Sequence, residues 1–360
     1  MADRREARQA RLRERLRVEG LTGLLVTHLA NIRYLTGFSG SSGALLVLPG
    51  ETVLVTDFRY ETQAPDEVGH HARVEVVRAD LWERVAKVAG RSRGEGWGFE
   101  SESTSVATAR KLADKGLAAL RPVEGLVEGL RVQKDEVEVE AIRAAAQLAG
   151  EAFAAAVPAI RPGVSEAEIA AVLEAQLRRG GSEWHPFPTI VASGQRSALP
   201  HAQTTRREIR PDEVVLIDFG AQLDGYCADL TRVVVAGAAD DRVRMVFELV
   251  RDAQTQALEG LRAGLIGKQG DALARSLIEQ RGFGEAFGHS LGHGLGLEVH
   301  EAPRVSRTND KPLPEDSVVT IEPGVYLPGW GGVRLEDDVC LTADGVQQLS
   351  TRQTELIENR

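Results

Sequence analysis

Residues 214–235, VVLIDFGAQLDGYCADLTRVVV, decide the fold of this 360-residue chain. VVLID at 214–218 and YCADLTRVVV at 226–235 are rich in β-branched residues and read as strands. Asp224-Gly225 between them is a hairpin-turn dipeptide. A turn centred there sets Asp229 opposite Gly220, two residues from Asp218. Alternate side chains share a face, so the two carboxylates lie diagonally adjacent on one side of the hairpin. On a largely apolar ribbon two such acids repel and call for a cation. Alone, they would be ordinary surface residues, so the reading depends on what surrounds them.

A second hairpin supplies more acid. Glu322 ends the strand VVTI (318–321), and Glu336 sits in VRLEDDV (333–339). The loop PGWGG (328–332) separates them, with Glu322 and Glu336 equidistant from Gly329 and so expected to face one another. Pro323 cannot donate a ladder hydrogen bond and predicts a break beside Glu322. A third element, GHSLGHGLGLEVHE (288–301), holds His289, His293 and His300, three of the chain's eight histidines within twelve residues. The glycines around them allow backbone to approach a site closely. Asp218, Asp229, Glu322 and Glu336 bring four negative charges, which two divalent ions balance. Oxygen donors with a single imidazole suit Mn²⁺, Co²⁺ or Zn²⁺ and exclude a structural cysteine-zinc site. Two ions roughly 3.5–4 Å apart can share a hydroxide nucleophile and clamp a developing oxyanion.

Outward from these motifs, residues 131–360 read as two helices, strands, two helices and strands again, an α+β pattern. Ile142, Ala145, Ala146, Ala149 and Phe153 form one apolar helix face. Ser165 with Glu168 is a capping box opening the next helix, and further helices are expected near 240–261 and 270–280. Residues 1–130 alternate strands (22–27, 44–48, 52–56, 97–100) with helices (59–66, 80–89, 105–115), a smaller α/β domain. The boundary falls in the glycine-bearing stretch 121–134. Residues 4–17 carry seven Arg interspersed with Glu6 and Glu14, and read as a solvated first helix with Leu12 and Leu16 inward, not a signal or transit peptide.

Composition excludes several classes. A net charge of −10 argues against a nucleic-acid partner. Two cysteines, Cys227 and Cys340, rule out a disulfide scaffold and fit a reducing, cytoplasmic compartment. No apolar run approaches the ~20 residues that span a bilayer.

IDFGAQLDGYCADLTR, HSLGHGLGLEVHE, TIEPGVY and VRLEDD together resemble the metal motifs of the M24 "pita-bread" metallopeptidases. NIRYLTGFSGSSG and TDFRY look like the extra N-terminal domain of that family's X-Pro branch, prolidase and aminopeptidase P. Methionine aminopeptidases share the catalytic fold but lack that domain. The resemblance implies a pita-bread catalytic domain (131–360) behind a creatinase/prolidase-type domain (1–130). It implies two divalent ions, Mn²⁺ foremost, held by Asp218, Asp229, His293, Glu322 and Glu336. It implies hydrolysis of the Xaa-Pro bond by a metal-bridging hydroxide, with Glu322 as proton shuttle. His300 would contact the scissile carbonyl or the tetrahedral intermediate, and His201 the substrate. His289 and Arg334 are grouped with the substrate-binding residues; His289 resembles a family histidine that supports the site from behind the metal ligands, and Arg334 is placed to orient either Glu336 or the substrate. Tyr226 is expected to brace a metal carboxylate through its hydroxyl.

Arg304 follows VHEAP and resembles the Arg with which prolidases hold a substrate's free carboxylate, which favours dipeptides. The alternative is aminopeptidase P acting on longer X-Pro-Y peptides, which the GSSG loop also resembles. A non-enzymatic pita-bread binding module, or a metal-free creatine-type hydrolase, would lack the metal carboxylates that are all present here. The resemblance further implies a homodimer in which the first domain reaches over a partner's site.

Overall fold

The computed structural model describes residues 4–90, 96–117 and 119–360. Two compact units divide the chain, Met1–Arg131 and Val132–Arg360.

The first unit runs α1 (Arg5–Val18), β1 (Gly23–Val26), α2 (Leu29–Thr36), β2 (Gly43–Val47), β3 (Thr52–Asp57), α3 (Gln63–Val68), β4 (Arg73–Val77), α4 (Leu81–Ala89), β5 (Trp97–Glu100), α5 (Val106–Asp114), β6 (Arg121–Val123) and α6 (Glu128–Arg131). Its mixed sheet has the order β4-β3-β2-β1-β5-β6. β1 pairs in parallel with β5 and antiparallel with β2. Leu25, Leu46, Val53 and Val55 pack against Val85 and Val88 of α4.

Helix α1 departs from a solvated helix. Leu12 and Leu16 are buried as expected, but several arginines also tie the helix down. Arg5 donates to the carbonyls of Thr36 and Glu67, Arg13 to that of Leu48, and Arg15 to those of Leu126 and Gly129. The apolar stems lie along the domain while each guanidinium satisfies a loop carbonyl. The expected helix over 59–66 is a short 3-10 turn, Phe58–Tyr60, followed by α3. Strands β4 and β6 were hidden because edge strands are half wet and carry charge. Helix α2 was hidden because its eight residues hold only two helical turns of pattern.

The second unit begins with α7 (Glu136–Ala156) and α8 (Glu166–Gly180). Capping boxes at Asp135/Glu138 and Ser165/Glu168 start them. There follow β7 (Ile190–Ser193), β8 (Glu213–Phe219), β9 (Gln222–Leu223), β10 (Tyr226–Cys227) and β11 (Leu230–Ala236). Helices α9 (Asp241–Gly260) and α10 (Gly267–Gln280) come next. The remaining strands are β12 (Gly292–Gly294), β13 (Glu301–Val305), β14 (Val318–Ile321), β15 (Gly324–Leu327), β16 (Gly331–Arg334), β17 (Asp337–Leu341), β18 (Val346–Gln348) and β19 (Ile357–Glu358). Two main sheets result, β19-β11-β8-β7 and β13-β12-β14-β17-β18.

Period-2 alternation sorts the first sheet. Val215, Ile217 and Phe219 join the core built on α7 and α8. Val214, Val233 and Val235 face the other way and join the core built on α9, α10 and the second sheet. Asp218 belongs to this second set by alternation, so its carboxylate points between the sheets rather than toward α7 and α8.

Candidate metal centre

The first hairpin folds in the expected register. Thr231 pairs with Asp218, Leu230 with Phe219, and Tyr226 with Leu223. Asp224 and Gly225 both have positive φ, 48° and 80°, the signature of a type I′ turn. Asp229 therefore shares a face with Asp218. Its own N–H leaves the ladder and donates to Asp338 Oδ2 (3.1 Å).

The second hairpin also keeps one register along its length. Ile321 pairs with Asp337 below the break and Gly324 with Arg334 above it. The break lies at Pro323, leaving Glu322 and Glu336 on either side of it. Each backbone N–H is then taken elsewhere: Glu322 N–H donates to Leu291 O (2.8 Å) and Glu336 N–H to Thr231 O (3.3 Å). The Thr231–Glu336 bridge joins the two sheets. Strand β12 brings His293 in between. A Cβ on Gly292 would lie 1.9 Å from Thr320 O, so only glycine permits this approach.

The acids and the imidazole converge. Donor atoms of Asp229, His293 and Glu336 lie within 4.8 Å of one another. His293 Nε2 is 3.7 Å from Asp229 Oδ2 and 3.5 Å from Glu322 Oε1. His293 Nδ1 faces Gly294 O at 3.1 Å; a carbonyl only accepts, so Nδ1 carries the proton and Nε2 is left as a donor toward a metal. Burial pushes the His293 imidazolium pKa down to about 3, so the ring is neutral near pH 7.

The carboxylates show the opposite strain. Burial, reinforced by Glu336 and neighbouring acids, pushes Asp229 and Glu322 well above the usual carboxylate range. Burial, then Asp218, raises Glu336 to about 7. Asp218 is also raised by burial, although Arg334 pulls against it, and its Oδ1 is buried without a hydrogen-bond partner. A buried, mutually repelling set of four carboxylates with an orphaned oxygen and a free imidazole nitrogen fits divalent cations. Another donor group, Glu6, His70 and His71 in the first unit, is exposed at two of its three members and has no such enclosed charge.

All ten residues expected at the site line one cavity of about 630 Å³. Phe187, Pro188, Ile190 and Val299 supply apolar wall. Ile190 pairs with Asp218 in register and stands beside it. Arg304 pairs with His293 across β12 and β13. Among the described residues the Arg304 guanidinium has no ion-pair or hydrogen-bond partner. His201 and His300 are exposed within the cavity, and the His300 ring stands 4.4 Å from that of His293, centre to centre.

Arg334, His289 and Tyr226 each have defined protein partners. Arg334 lines the cavity and donates to Asp218 Oδ2 (2.6 Å), Thr231 Oγ1 (2.9 Å), the Tyr326 hydroxyl (2.9 Å) and Pro200 O (3.3 Å). It orients Asp218, and lies 3.9 Å from Glu336. His289 is held likewise. Its Nδ1 donates to Ser290 O and its Nε2 accepts from the Tyr326 hydroxyl, both at 2.8 Å. Burial lowers its pKa to about 4, so it is a neutral brace for Tyr326. The Tyr226 hydroxyl donates to Glu138 on α7 (3.1 Å).

Sequence reading missed Thr231, which donates to Glu336 Oε2 (2.5 Å) and accepts from Arg334. Its place two residues after Asp229, on the same face, was the available signal. It also missed Tyr326, which meets Arg334 across its own hairpin and His289 on the approach to β12, and Asp338, whose partner Asp229 lies far away in sequence.

Residues 140–343 match metallopeptidase family M24, and residues 8–133 match the creatinase/prolidase N-terminal domain. A Xaa-Pro dipeptidase of Pyrococcus furiosus is 35% identical over 330 residues, spanning 91% of this chain and 92% of that one. The structure titled Xaa-Pro dipeptidase from Bacillus anthracis superposes with a TM-score of 0.95 at 37% identity, covering 98% and 99% of the two chains. An X-Pro aminopeptidase structure from Thermotoga maritima gives 0.90 at 39% identity, covering 97% and 99%.

Proposed function

The chain belongs to metallopeptidase family M24, and on that premise we propose that it is a Xaa-Pro dipeptidase that releases proline from X-Pro dipeptides. The observation that carries the dipeptide reading is Arg304. Its unpartnered guanidinium lines the cavity opposite His293, where a free α-carboxylate one residue from the scissile bond can take both its donors.

Asp218, Asp229, His293, Glu322 and Glu336 would hold two divalent ions, with Mn²⁺ favoured by four carboxylates against one imidazole. When bound, such ions supply an activated water and electrostatic stabilisation of a developing oxyanion. Glu322 accepts the proton of the attacking water and delivers it to the departing prolyl nitrogen. His300 donates to the scissile oxygen as its negative charge grows. His201, which also lines the cavity, contacts the substrate. Thr231 and Arg334 keep Glu336 and Asp218 in place through the contacts described above.

The aminopeptidase reading has its own support in the likeness to the Thermotoga maritima X-Pro aminopeptidase. Proline release from X-Pro, against release of X from X-Pro-Y, separates the two, assayed after chelation with and without added Mn²⁺. Faster turnover of the dipeptide, dependent on metal, is expected; preference for the tripeptide would move the assignment to aminopeptidase P.

A homodimer of cytoplasmic location completes the proposal. Exposed Phe58, Trp184 and Leu199 supply apolar surface for a partner copy, and two free buried cysteines suit a reducing compartment. A fully active monomer in solution, measured by light scattering, would remove the dimer. Among the described residues, no helix is long and apolar enough to cross a membrane.

A further inference from the structure

His300 lies in a glycine-rich loop, and among the described residues no hydrogen bond holds its ring. Apart from its edge-on contact with the His293 ring, its position is set by the backbone on either side, and Glu301 beside it ties that backbone down. Glu301 Oε1 accepts from the Glu298 N–H (3.1 Å), closing the loop on itself. Glu301 Oε2 pairs with Lys134 Nζ at 3.2 Å, with both side chains buried, 8% and 1% exposed. A Cβ on Gly296 would come within 2.9–3.1 Å of the Glu301 carboxylate, so the loop is shaped around this anion. Gly296 is pinned as well: its N–H donates to Glu298 O (3.0 Å) and its carbonyl accepts from Cys227 N–H (2.7 Å).

Lys134 is equally immobile. Its N–H donates to Asp316 O (2.8 Å), and the next residue, Asp135, caps α7. A buried ion pair is a poor source of stability, because desolvation offsets the attraction, yet it fixes geometry where it is kept. Here it joins the start of the longest helix to the residue beside His300.

We propose that Lys134 and Glu301 are positioning residues for the peptidase reaction, acting through His300: their ion pair holds the 296–301 loop so that the His300 ring meets the scissile oxygen. This rests on the reading of His300 given under Proposed function.

The test is a double-mutant cycle on the metal-loaded, full-length enzyme, with an X-Pro dipeptide as substrate. Lys134→Met should lower kcat about 10-fold, within the 10²-fold that a misplaced catalytic group can cost. KM and metal content per chain should stay near wild type, and Lys134→Arg should recover part of the loss. In a His300→Ala background, Lys134→Met should change kcat less than about 2-fold, since there is no ring left to misplace. Equal fold-losses in both backgrounds would overturn the positioning role, because a merely structural pair would act regardless of His300. If Lys134→Met does not fold, Glu301→Gln preserves the shape, removes the charge, and enters the same cycle with the same expectation. A His300→Ala enzyme with unchanged kcat would instead overturn the reading of His300, and the proposal with it.

Discussion

On the proposed function, substrate choice would turn on Arg304. Replacing it by Ala removes one charge-assisted interaction with a dipeptide's carboxylate, about 1.5–3 kcal/mol, or roughly 10- to 150-fold in kcat/KM for X-Pro. X-Pro-Y tripeptides should lose much less, because their carboxylate lies one residue further out. Arg304→Lys should restore only part, since a point charge lacks the planar fork. Equal, small effects on both substrates would make Arg304 a surface residue. Glu336 tests the metal set. It is buried, hydrogen-bonded to Thr231 and shares its space with Asp218 and Glu322. Glu336→Ala should strip bound metal and nearly all activity, measured by metal analysis and steady-state kinetics. Wild-type occupancy with near-normal turnover would rule out its place among the ligands.

At the scale of elements, the first unit keeps its helices and strands in place with a buried polar cluster. Asn31 on α2 donates to Glu100 at the end of β5 (2.7 Å) and to Glu128 on α6 (2.5 Å), and accepts from Arg131 (2.7 Å). Burial alone would raise Glu128, but hydrogen bonds from His28 and Asn31 outweigh it and hold the carboxyl at about 2. A depressed carboxyl contributes stability above its unfolded value near 4.5 that is lost as pH falls toward 2. Glu100, raised by burial, acts in the opposite sense. The melting temperature of Glu128→Gln should therefore fall less steeply between pH 4.5 and 2 than that of the wild type. Parallel slopes would show that Glu128 carries no such linkage.

For the whole molecule, the enclosed carboxylates make folding and metal loading one equilibrium. Ligands that bind only the folded chain stabilise it by mass action, about 4 kcal/mol when free ligand exceeds Kd a thousandfold. Chelation should abolish peptidase activity and lower the thermal midpoint of the catalytic domain, and added Mn²⁺ should restore both. An unchanged midpoint on chelation would mean that the acids need no cation. The same charge set explains why the proposed function was legible early: four acids and an imidazole in neighbouring strands are too costly to bury without a purpose.

Sequence alone determined what local rules govern. Asp224-Gly225 dictated a type I′ turn, and with it the register that puts Asp218 and Asp229 on one face. Pro323 dictated the ladder break beside Glu322, and the spacing about Gly329 carried through to the observed pairing on both sides of that break. These features depend on backbone hydrogen bonding over a few residues. Tertiary structure decided the rest. Arg334 reaches Asp218, 116 positions away, and Tyr226 reaches Glu138 on α7, 88 positions away. Arg5, Arg13 and Arg15 of α1 fasten loops instead of facing solvent. Each of these side chains is long and carries several donors or a terminal hydroxyl. Its partner is whichever acceptor the folded chain brings within 3 Å, and that is a property of packing between distant segments, which no local pattern encodes.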